Sequence, residues 1–83
     1  MPVRSEHKLS KNAYAKKQMA FLAVSLKSWR EASGRTLANV AEQTGVSAPQ
    51  ISNIESGRGA PSFAVLVILC REAGLTVPAV LGE

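Results

Sequence analysis

Apolar side chains recur at spacings of three and four along most of the chain, the period that puts them on one face of a helix. Phe21, Leu22, Leu26 and Trp29 form such a face and predict a first helix from about Asn12 to Ser33 and Gly34, where glycine can close it. Before it, Met1 to about Lys11 has neither a helical nor an alternating period, which predicts a mobile arm. Tyr14 either prolongs the apolar stripe or marks a frayed start. Thr36 caps a second helix carrying Leu37, Val40, Ala41 and Thr44, and Gly45 stops it. Ser47 caps a third from Ala48 to about Ser56, with Pro49 in its first turn and Ile51 and Ile54 facing inward. Ser62 caps a fourth from Phe63 to Ala73, ended by Gly74, and Thr76 caps a short fifth through Leu81, with Pro78 in its first turn. Phe63 to Cys70 has the composition of a buried strand, but it lacks any partner strand. The predicted fold is all-α, with five helices.

At 83 residues the chain supports one core, and its 46% apolar content is enough to build it. The expected division is a basic arm with the start of the first helix over residues 1–20 and a folded domain over 21–83. The longest apolar run has eight residues, Phe63 to Cys70, against the roughly 18 to 20 that cross a bilayer, so no membrane partner is expected. Lys16 and Lys17 before Met19–Leu26 have a faint look of a signal peptide, but Ser25, Lys27 and Arg30 break the pattern into an amphipathic helix. One cysteine and one histidine supply neither an internal disulfide nor a zinc ligand set, and nothing calls for a cofactor. A reducing cytoplasm is the expected setting.

Charge placement adds more than net charge. All of the +4 lies in residues 1–20, where Arg4, Lys8, Lys11, Lys16 and Lys17 oppose Glu6 alone, while the rest of the chain balances. A basic leader beside a neutral body suits a polyanion, because each cation placed on a phosphate releases condensed counterions. By charge alone it reads equally as a solubilising tail.

The second and third helices are joined only by Gly45, Val46 and Ser47. A small Ala41 lets them cross closely, Gly45 supplies positive φ, and Val46, Ile51 and Ile54 anchor the third helix with its other face outward. That is a helix-turn-helix. The stretch TLANVAEQTGVSAPQISNIESG from Thr36 to Gly57, continued by Arg58 and Pro61-Ser62, resembles the Cro and phage-repressor (lambda-repressor-like, XRE-type) helix-turn-helix family over about Leu22 to Leu81.

The resemblance implies a five-helix bundle whose third helix enters a DNA major groove. Carried over by position, Ala48, Pro49, Gln50 and Asn53 reach base edges. Gln and Asn can each pair with adenine N6 and N7, and the apolar surfaces of Ala48 and Pro49 with a thymine methyl, which points to A·T-containing half-sites. Gln50 has an alternative employment in a capping box with Ser47. Thr36, Ser47, Ser52 and Ser56 fall where the family contacts phosphates, or serve only as caps and solvated surface. The family's frequent glutamine is Leu37 here and the third helix has no Lys or Arg, so Arg35, Arg58 and the leader become the candidates for non-specific grip. Arg30 and Glu55 occupy the positions of a buried ion pair in the family, and Trp29 beside them reads as packing.

The fourth helix is apolar on two faces, Phe63, Leu66, Leu69, Cys70 and Ala73 on one and Val65 and Ile68 on another. A second copy of the chain is the expected cover, through Val65, Ile68, Val77 and Val80; the leader helix of the same subunit is the alternative. His7 and Cys70 lack the neighbours of a catalytic group, so no enzyme activity is expected. With no effector domain after the fifth helix, control by the protein's own concentration is expected. Two functions stay open: a DNA-binding transcriptional regulator, most simply a repressor, acting as a homodimer on double-stranded DNA, and an antitoxin-like module that covers a protein partner.

Overall fold

The computed structural model describes residues 3–59 and 61–78, with side chains from Ala13 onward. Among them are four helices and no strand: α1 (Val3–Ala32), α2 (Leu37–Thr44), α3 (Ala48–Glu55) and α4 (Phe63–Ala73). The fifth helix is not seen. Thr76 to Pro78 are non-helical, and the remainder of that segment, Val80 included, lies outside the described residues.

The leader differs from expectation. From Val3 its backbone is helical, the first third of a 30-residue α1. No Gly or Pro interrupts Val3 to Ala32, and once a packed segment has nucleated a helix each further residue adds a hydrogen bond at little cost. Such an extension needs no apolar stripe, so periodicity could not reveal it. α1 closes where Gly34, at φ 71°, takes the left-handed conformation and the Arg35 amide donates back to the Arg30 carbonyl at 3.0 Å.

Leu22, Leu26, Val40, Val46, Ile51, Ile54, Leu66, Leu69 and Cys70 make one core, to which every helix contributes. α1 lies across α3 and α4, and α2 packs on α3 and α4. Two residues assigned to inward faces are outside it. Phe21 is 70% exposed, because the inward direction of α1 is set by Leu22, Ala23 and Leu26 and Phe21 lies 100° round the helix from Leu22. Phe63, the first residue of α4, is 45% exposed. Val65 and Val77, expected at an interface with a second copy, are half-buried against the core.

Candidate nucleic-acid interface

The presentation of α3 begins with its neighbour. Thr36 caps α2 through a reciprocal box: the Asn39 amide donates to Thr36 Oγ1 at 3.0 Å, and the Thr36 amide to Asn39 Oδ1 at 3.0 Å. Of the two, only Thr36 stands out in the sequence as a cap. The Ser/Thr-x-x-Glu/Gln spacing was visible there, with Asn in the reciprocating place. At the other end Gly45 has φ 81° and its amide reaches the Ala41 carbonyl at 2.8 Å, while Thr44 Oγ1 accepts the Val46 amide at 3.2 Å. These bonds fix the turn that aims α3.

Ser47 Oγ caps α3 by accepting the Gln50 amide at 3.3 Å. The box expected in reverse is absent: the Gln50 side chain finds no partner among the described residues, and neither does that of Asn53. Ile51 and Ile54 are 3% and 2% exposed, which pins one side of α3 into the core and turns Pro49, Gln50 and Asn53 to solvent. Ala48 and Ser52 are half-buried at the flanks of that edge.

The far end of α3 is tied to α1. Arg30 Nε donates to Glu55 Oε2 at 2.8 Å and Nη2 to Oε1 at 3.0 Å, and Nη1 caps the Arg35 carbonyl at 3.0 Å. The hydrogen bond to Glu55 raises the Arg30 pKa further against the opposing effect of burial, so the guanidinium stays charged. Ser56 Oγ donates to the Ser52 and Asn53 carbonyls at 2.8 and 3.2 Å, and accepts from Arg58 Nε at 3.2 Å. Arg58 is thereby held at the C-terminal end of α3, exposed.

Arg35 is drawn elsewhere. Its Nη1 donates to Gln43 Oε1 at 3.0 Å and to Glu72 Oε2 at 3.1 Å, and its guanidinium lies over the Trp29 ring, 4.9 Å from the centroid. This side chain links α1, α2 and α4 rather than standing free for phosphate; Gln43 and Glu72, far apart in sequence, gave no local signal of it. Trp29 is half-buried beneath it as a packing residue. Lys16 and Lys17 are exposed on α1, and the side chains of Arg4, Lys8 and Lys11 fall outside the described residues. No described helix is long and apolar enough to cross a membrane.

Two helices joined by a glycine turn, the second anchored on one side and open on the other, are the architecture of a helix-turn-helix. A family model described as a helix-turn-helix domain matches residues 22–81. The chain belongs to this family of DNA-binding domains, which is of the Cro-like type. Comparison with curated proteins and with solved structures finds no match.

Proposed function

We propose that the protein is a sequence-specific transcriptional regulator, acting as a repressor, that binds a pseudo-palindromic operator as a homodimer with α3 in the major groove. The observation that carries this reading is the pair of unpartnered amides, Gln50 and Asn53, three residues apart on the exposed edge of a helix whose opposite edge is locked by Ile51 and Ile54. Side chains without internal partners are available to base edges, where Gln or Asn pairs bidentately with adenine. Ala48 and Pro49 flank them as thymine-methyl contacts. Thr36, Ser47, Ser52, Ser56 and Arg58 surround the edge as phosphate contacts, joined by the leader cations. Arg35 is the weakest member of that set, since its guanidinium already has two partners in the fold.

The homodimer reading draws on α4, where Ile68 at 42% and Val67 at 39% remain open to solvent beside Phe63. Val65 and Val77 border this surface. Two-fold pairing would set the α3 helices about one DNA turn, roughly 34 Å, apart. Selection of bound duplexes from a random library tests the proposal: it should enrich two inverted A·T-containing half-sites, and recovery of no common sequence would defeat it. A second reading, a protein-binding module, is favoured by Phe21 and Val24, 70% and 64% exposed on α1. Salt separates the two, because binding through several phosphates weakens by orders of magnitude between 50 and 200 mM salt whereas an apolar protein complex hardly responds.

A further inference from the structure

Between α1 and the loop after α3 the structure opens a cleft of about 590 Å³. Its floor is apolar, built from Met19, Ile54, Pro61 and Leu66, and two cations, Lys16 and Arg58, stand in its lining. The function proposed above uses these cations only as general grip; of the floor, Ile54 and Leu66 are the outer side of the core, while Met19 and Pro61 stay partly open and have no part in that function. Both side chains are exposed, and neither meets a carboxylate among the described residues. Arg58 is also oriented: Ser56 Oγ takes its Nε, which leaves the terminal nitrogens to an incoming anion.

The combination restricts the occupant. A DNA phosphodiester would satisfy the cations but would leave the floor wet, and a neutral apolar molecule would fill the floor but leave the cations unused. The volume lies within the roughly 300 to 1,000 Å³ of small-molecule sites. We infer that this cleft binds a small amphipathic carboxylate, its apolar tail over Met19 and Pro61 and its carboxylate between Lys16 and Arg58, and that occupancy opposes DNA binding. The second half rests on the regulator reading: the ligand neutralises two cations beside the C-terminal end of α3, and by linkage whatever weakens DNA binding is itself displaced by DNA.

The test uses the full chain and octanoate, with octylammonium and 1-octanol as controls, followed by amide chemical shifts without DNA. Octanoate should give saturable shifts centred on Lys16, Met19, Ala20 and Gly57 to Gly59, and octylammonium none. The double variant Lys16→Gln with Arg58→Gln should weaken octanoate by about tenfold or more, the scale of losing charge-assisted hydrogen bonds. Ala20→Leu, at an exposed position that lines the cleft, should abolish binding without altering the unfolding midpoint. Equal binding of the octanol or octylammonium, indifference to the double variant, or no saturable shift at millimolar octanoate would each overturn the site. A duplex recovered from selection then tests regulation: saturating octanoate should lower its affinity several-fold, and octanoate binding with unchanged DNA affinity overturns that half. Because the ligand arm contains no DNA, failure of the site and failure of the regulator reading give different results.

Discussion

Arg30 on α1 grips Glu55, the last residue of α3, through two parallel hydrogen bonds of 2.8 and 3.0 Å, with side chains only 14% and 7% exposed. The pair joins the last turn of α1 to the end of α3 across 25 residues of sequence. Attraction in such a pair is largely offset by desolvation, so its value lies in orientation, whereas removing one partner strands a charge. Glu55→Ala should therefore lower stability by about 2–4 kcal/mol, read from urea unfolding. Replacing both partners with apolar residues of similar volume should recover much of that loss. If the single change costs no more than an exposed salt bridge, the pair does not hold α3.

Gly45 sets the angle between α2 and α3. A Cβ there would meet nothing within 4 Å, so the only obstacle to alanine is the backbone at φ 81°. Gly45→Ala should cost about 1–2 kcal/mol, and Gly45→Asn less, since asparagine tolerates the left-handed region. Thermal unfolding of the two variants checks the order; equal losses would mean that crowding rather than φ governs the turn.

The α2 cap gives a matched pair of changes. Thr36→Ala removes the acceptor for the Asn39 amide, and Asn39→Ala the acceptor for the Thr36 amide. Thr36→Ala should cost about 1 kcal/mol, and the double variant less than the sum of the two single losses, because both bonds belong to one closed box. Strict additivity in urea unfolding would contradict the box.

Much of this arrangement was legible in the chain. The bounds of α2, α3 and α4 follow from caps and stops that act within a few residues, Thr36 and Gly45, Ser47 and Ser56, Ser62 and Gly74. The outward edge of α3 follows from the inward pull of Ile51 and Ile54. What could not be read locally was decided at a distance. Arg35 looked free until the fold brought Gln43 and Glu72 to it, and Phe21 looked buried because six apolar residues within the nine positions from Phe21 to Trp29 suit more than one inward direction. The helical leader was not legible because residues 3–11 carry no hydrophobic period, and a helix continued from a packed segment needs none.

Cys70 is 1% exposed, and burial pushes its thiol pKa up from the ordinary 9.0. The folded state holds this proton to higher pH than the unfolded chain does. The thiol's contribution to stability is therefore constant below about pH 9 and falls as pH rises through the unfolded value. Alkylation of the native protein at pH 7–8 should proceed only through opening of the core and accelerate in step with urea unfolding. Rapid labelling of the folded protein would show that the other helices do not seal the thiol into the core.

Whether the Gln50–Asn53 edge reads bases is decided by comparing duplexes selected by the parent chain with those selected by Asn53→Ala and Gln50→Ala. Both side chains are exposed and unpartnered, so folding should be unchanged. Each variant should lose preference at its own position in each half-site, by about 1–3 kcal/mol of discrimination, and keep the rest of the motif. Retention of the parent motif at every position by both variants would mean that this edge reads no base.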